Sequence, residues 1–198
     1  MSQEVFQIAN SMGIESLQIQ LALQSAPLLA GEKISNLIIV SSNYANAIME
    51  LFQNTEISFF MISYTEEKVI FLLYKKDELV SCLQQKKVRK FFAKAGYETM
   101  ELSEVLTTVS EKYENYLAGE ASFPHELGLL LGYPVEDVYG FIRNNGKNFL
   151  YTGYWKVYCD LSEKLEIFER FRQAESTVMH MISNGNSIPD IINFYHNM

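Results

Sequence analysis

Cysteine is scarce in this chain. Of 198 residues only Cys82 and Cys159 carry a thiol, far apart and in no CxxC pair. That excludes a disulfide framework and leaves two reduced thiols in a cytoplasmic protein as the expectation. Histidine is almost as rare: His125, His180 and His196 lie outside any HExxH frame. Positive charge is in deficit, with 16 Lys and Arg against 24 Asp and Glu, a formal charge of −8. Phosphate binding rests on a positive surface, so neither nucleic acid nor an anionic membrane is an expected partner. No window approaches the roughly 18 unbroken apolar residues of a membrane span. The opening MSQEVFQIANSMGIES has acids and polar residues where a signal peptide has a basic region. Low-complexity stretches and repeats of 20 to 50 residues are also missing, which leaves no solenoid and no obvious linker.

What is present is the material of a globular fold. The aromatic content of 13%, with 48% apolar residues, argues against disorder. Periodicity predicts a helix over 14–25, with Ile14, Leu17 and Leu21 on one face, ended by Pro27 and a turn at Gly31. NLIIVS (36–41) suits a buried strand, and 43–53 a helix turning Ala47, Ile48, Leu51 and Phe52 inward. Residues 57–63 and 69–74 read as a hairpin across a polar loop, apolar enough that both sheet faces need helical cover. Asp77 is placed to cap a helix over 78–95 and Ser103 one to about 118. Asp160 and Glu163 have capping-box spacing ahead of a helix over 161–183, striped by Leu161, Leu165, Phe168, Phe171, Glu175, Met179 and Ile182. Ser187 then caps a short last helix. The expected fold is mixed α/β: a mixed sheet of about four to five strands flanked by helices, with a helical C-terminus. A single domain over 1–198 is expected, with 119–124 the one candidate subdomain boundary.

Special residues concentrate in 123–160, which holds five of the ten glycines, two of the four prolines, five of the twelve tyrosines and the single tryptophan. Pro124 and Pro134 fit helix starts, Gly132 and Gly146 helix stops. Val135, Val138, Phe141 and Ile142 are expected inward, and Gly140 to admit a close-approaching backbone. Residues 149–158 read as strand, bent or bulged at Gly153, with Tyr154, Lys156 and Tyr158 on one face.

The same residues carry a resemblance. HELGLLLGYPVEDVYGFIRNNGKNFLYTGYWKVYCD resembles the signature region of the DUF3793 family, proteins of anaerobic Firmicutes and relatives. That region runs HE-(I/L)-G-x-x-LGYP-x-EDV-x-GFI, then GKN and GYWKVY. Residues 26–31, APLLAG, are similar to the family's AP-T-LAG element, with Leu28 in place of a small polar residue and Ser25 where members often carry Cys. The resemblance implies a family with no established activity.

Five groups of residues are candidates for chemistry. His125 beside Glu126 suits acid/base work, although neighbours on a helix diverge by about 100°, so no metal site is expected. Gly146-Lys147-Asn148 lacks the frame of a phosphate loop and precedes a strand, yet Arg143, Lys147 and Lys156 form a cationic cluster if the strand folds back. Tyr154, Lys156 and Tyr158 either line a pocket or sit on a half-exposed edge. Glu136-Asp137 matches both a carboxylate pair and ordinary first-turn acids. Lys86, Lys87, Arg89, Lys90 and Lys94 read as a solvated helix face. The leading expectation is a cytosolic small-ligand-binding or regulatory protein with its site around 123–158. Two alternatives stand beside it: an enzyme of unfamiliar type using His125 with Glu126 or Lys147, and a structural module for another protein. No cofactor, particular ligand, protein partner or oligomeric state is indicated by the sequence.

Overall fold

The computed structural model describes residues 3–13 and 16–197. Its plan follows from one strand, β3 (Lys68–Lys75), apolar at every position from 69 to 74. Neither face of such a strand can be left to water. Val69, Phe71 and Leu73 are buried on one side, Ile70, Leu72 and Tyr74 on the other. Strands β1 (Ser35–Ser41) and β2 (Ile57–Tyr64) pair antiparallel to its two edges, in the order β1-β3-β2. A register shift between Met61 and Ser63 bends β2.

Helices supply the cover. In chain order they are α1 (Gln3–Met12), α2 (Leu17–Leu29), α3 (Ala45–Phe52), α4 (Lys76–Gln84), α5 (Lys86–Lys94), α6 (Leu102–Leu117), α7 (Glu126–Leu130), α8 (Val135–Arg143), α9 (Leu161–Ser183) and α10 (Ile188–His196). On the Phe71 face lie α1, α2, α3, α10 and the C-terminal part of α9, with Leu21, Ile48, Val178 and Ile191 in the shared core. Residues of α4 to α8 cover the Leu72 face through Leu79, Phe92, Val105, Leu127 and Val138. Each fully buried Leu, Ile or Phe contributes about 1.5–3 kcal/mol through removal of its apolar surface from water. A third, smaller cluster joins a two-stranded hairpin, β4 (Tyr151–Thr152) and β5 (Lys156–Val157), to the start of α9 through Trp155, Val157, Phe168 and Phe171.

The mixed α/β class, helices on both faces of the hairpin strands and the helical C-terminus agree with expectation. The strands divide differently: among the described residues there are five, in sheets of three and two, every pairing antiparallel. The 149–158 segment is two strands, because Gly153 sits in a turn that folds β5 back on β4. Pro27 does not end α2; it lies buried in the last turn, where its missing N–H removes a single bond. Ile14, expected on that helix, lies outside the described residues. The span 78–95 is broken at Gln85, whose extended backbone (ψ 132°) separates α4 from α5 with no Gly or Pro to mark it. Asp77 and Ser103 fall inside the first turns of α4 and α6 and do not cap them. Asp160 adopts a left-handed conformation (φ 49°) and makes no side-chain cap, while Glu163 pairs with Lys164. Leu165 points to solvent and the stem of Lys164 is buried in its stead. The Ser187 cap is a full capping box with Asp190.

Candidate functional site

The 123–160 segment is folded around one carboxylate. Asp137, in the first turn of α8, is 2% exposed. Its Oδ2 accepts from Trp155 Nε1 (2.8 Å), and its Oδ1 accepts from the backbone N–H of Tyr158 (2.7 Å) and Cys159 (3.3 Å). Three donors from one hairpin thus converge on one side chain of the preceding helix, fixing β5 against α8. The same junction explains Gly140. A Cβ there would stand 2.4 Å from Cγ of Tyr158, so a ring, rather than the anticipated backbone, takes the space a side chain would fill. Trp155 is held in turn between Tyr133, stacked at 5.2 Å, and Phe168, edge-on at 4.5 Å.

This arrangement encloses a pocket of about 310 Å³. Leu37, Leu127, Leu131 and Val138 supply aliphatic walls, and Phe123, Tyr133, Phe141 and Trp155 aromatic ones. The polar side chains reaching it are His125, Lys156 and Asp137. Those of Asp137 are occupied as described. His125 lies between the rings of Phe123 (5.7 Å) and Phe141 (5.6 Å) and makes no side-chain hydrogen bond among the described residues. Desolvation holds its pKa below the ordinary imidazole value, partly opposed by the charge of Glu126. Lys156 donates from Nζ to the Gly146 carbonyl (2.7 Å), lies over Phe141 (5.6 Å) and Phe149 (5.0 Å), and has no carboxylate partner among the described residues. Gly146 can offer that carbonyl because its backbone sits at φ 70°, closing the end of α8.

The other anticipated residues go elsewhere. Glu126 turns away from His125 into the core of α6 and α7, 4% exposed, where Oε1 accepts from Tyr97 Oη (2.8 Å) and Lys112 Nζ (2.9 Å). Burial, reinforced by this carboxylate, pushes the Tyr97 phenol far up. Arg143 and Lys147 are exposed and do not line the pocket. Tyr154, Lys156 and Tyr158 do not share a face, because the turn at 153–155 separates the first from the other two. Tyr154 packs on Phe168 and Phe171 and donates to Glu175 Oε1 (2.7 Å), which accounts for the acid in the α9 stripe. Tyr158 seats its ring on Gly140, its hydroxyl shielded from solvent without a hydrogen-bond partner. Phe141 and Ile142, expected inward, are each 37% exposed, and Phe141 forms the rim of the pocket. Among the described residues no three His, Cys, Asp or Glu side chains are grouped to hold a metal ion, and no helix is long and apolar enough to cross a membrane.

Asp137 is a candidate only as half of a pair with Glu136, and nothing in the sequence marks it as the buried member. Lys33 carried no signal. It borders a second, larger cavity of about 790 Å³ between α4, the α7–α8 turn and α9, and Leu131, Tyr133 and Trp155 line both cavities as a common wall.

No curated protein and no solved structure matches the chain. A family model does, from residue 21 to residue 192, a span that contains β1, β3, the pocket and the Asp137 junction. The chain belongs to the family described as "Protein of unknown function (DUF3793)".

Proposed function

We propose that this is a cytosolic small-ligand-binding or regulatory protein. Its ligand is a compact, mainly apolar molecule, aromatic by preference, carrying one anionic or acceptor group. The observation that carries this reading is the composition of the 310 Å³ pocket: aliphatic and aromatic walls with two polar groups, His125 and Lys156, that form no ion pair among the described residues. A concave apolar site with a few converging polar groups is the ordinary form of a small-molecule site. Its volume is at the small end of the roughly 300–1,000 Å³ range, which favours a ligand of one or two rings. The apolar body would lie against Phe123, Leu127, Val138 and Phe141, and its acceptor group would face Lys156, whose ammonium offers donors beyond the one used by Gly146.

Acid/base catalysis by His125 has less support. Glu126 is committed to Tyr97 and Lys112, and Lys147 lies outside the pocket, so neither is placed to orient the imidazole.

Trp155 is the sole tryptophan and lines the pocket, so its emission reports occupancy directly. Titration with phenylacetate should change that emission saturably. The neutral isostere phenylacetamide should bind about tenfold more weakly, and Lys156→Met should erase the difference between the two. Equal affinity for both compounds in the native chain would remove the role given to Lys156. No saturable response to either, with native far-UV dichroism, would remove the pocket as a site for this class of ligand.

A further inference from the structure

The larger cavity points to chemistry of another kind. Three cations border it: Lys33, Lys87 and Arg170. Arg170 is paired with Glu32 and Lys87 with Glu136, both acids of the same cavity. Lys33 has no carboxylate partner among the described residues. It is partly buried, its Nζ donates to Asn36 Oδ1 at 2.6 Å, and it lies 5.5 Å from the centre of the Tyr133 ring. Asn36 is locked in that orientation, because its Nδ2 donates to the carbonyls of Gln24 (2.6 Å) and Leu37 (2.8 Å). Its oxygen is neutral, so it holds Lys33 in place without supplying a counter-charge.

We propose that Lys33 is an imine-forming amine, and that this groove receives a small neutral aldehyde or ketone beside it. The Nζ lone pair attacks the carbonyl carbon and a C–N bond forms. A proton passes from nitrogen to oxygen to give the carbinolamine, and loss of water leaves the C=N bond. No oxidant, reductant or co-reactant is needed. Desolvation lowers the Lys33 pKa to about 8, so an appreciable fraction of the amine is nucleophilic near neutrality. A neutral ligand suits the surroundings better than an anion, since the carboxylates of Glu32, Asp77, Glu78 and Glu136 outnumber the cations along the groove. Tyr133 lies beside the amine, and Ser81 and Cys82 line the same cavity, the pKa of the thiol raised by burial.

The proposal is tested with benzaldehyde and sodium cyanoborohydride at pH 7, followed by peptide mass mapping of the whole chain. Lys33 should be benzylated at least tenfold faster than the exposed Lys68 and Lys90, with a rate that saturates in benzaldehyde at Lys33 and stays linear at the other two. Lys33→Arg, which keeps the positive charge, should abolish the saturable component while the thermal midpoint stays within a few degrees. Modification of Lys33 at the rate of Lys68, or a linear dependence at Lys33, would overturn the proposal. So would protection of Lys33 by millimolar inorganic phosphate in the absence of any saturable adduct, which would make the groove an anion site. If Lys33→Arg fails to fold, the two rate laws in the native chain still decide.

Discussion

Replacing Asp137 with Asn is the most informative single perturbation of this protein, because it changes one atom in a junction that three backbone and side-chain donors share. In the native chain Oδ2 serves Trp155 Nε1, and Oδ1 serves the N–H groups of Tyr158 and Cys159. Asparagine has one oxygen. Whichever way its amide turns, an NH2 group must face an N–H donor at a position 2% exposed to solvent. The favourable orientation keeps Tyr158 and Cys159 satisfied and leaves Trp155 Nε1–H without an acceptor. One orphaned buried donor costs about 1–3 kcal/mol. Bonds to a charged acceptor are roughly twice as strong as neutral ones, so the two that remain weaken as well. The expected loss is about 2–4 kcal/mol, rising to about 3–5 kcal/mol for Asp137→Ala, which orphans all three donors. Urea unfolding should show the midpoint falling with the slope unchanged. Trp155 emission in the folded variant should shift to the red as the indole loses its tether. A loss below about 1 kcal/mol with native emission would refute the view that this carboxylate holds the hairpin to α8.

Four other outcomes are expected. Gly140→Ala drives a Cβ to within 2.4 Å of the Tyr158 ring, at atoms near the backbone that cannot swing aside, and should cost about 1–3 kcal/mol by chemical denaturation. Lys112→Met removes the one cation beside buried Glu126; the loss should be about 3 kcal/mol, at the low end for a broken buried pair because Lys112 is itself one-third exposed, with partial recovery in Lys112→Met/Glu126→Gln. The Cys159 thiol is pushed up to about 11 by desolvation and the neighbouring Asp137, so at pH 8 iodoacetamide should alkylate it at least tenfold more slowly than an unfolded control peptide. The pKa of His125 is lowered by desolvation, so the unfolded chain takes up its proton first. Its contribution is therefore complete above the unfolded value of about 6.5 and is lost as pH falls through the folded value. Unfolding free energies at pH 7 and pH 5 should show a smaller drop in His125→Phe than in the native chain.

What could be read in advance depended on whether a residue's role was local. The apolar run 69–74 required cover on both faces, and the hairpin across 65–67 and the Ser187 cap were likewise legible, since turn and cap chemistry act within a few residues. Gln85 shows where that stops. Nothing in DELVSCLQQKKVRKFFAKA marks a break, yet the chain must redirect there so that Leu79 and Leu83 of α4 and Val88, Phe91 and Phe92 of α5 can all reach the same cluster. Burial overrode a locally favourable continuous helix. The capping box at Asp160 failed for a similar reason: Asp160 takes a left-handed conformation after the hairpin, and Glu163 pairs with Lys164. The stretch dense in Gly, Pro and aromatic residues does border a pocket, because close packing of rings needs glycines at 140 and 153. It could not say which polar groups face inward. Glu126 and Asp137 both lie in first turns, of α7 and α8, and tertiary contacts send one to Lys112 and the other to Trp155. Lys33 becomes distinctive only when β1, the α7–α8 turn and α9 come together around it.

The pocket is tested most directly by a crystal of the chain soaked with 4-bromophenylacetate, in which the bromine locates the ligand by anomalous scattering. The account predicts a single strong peak among Phe123, Leu127, Val138 and Phe141, with the carboxylate toward Lys156 Nζ. A pocket that stays vacant while bromine appears only at other surfaces, the groove beside Lys33 included, would contradict it.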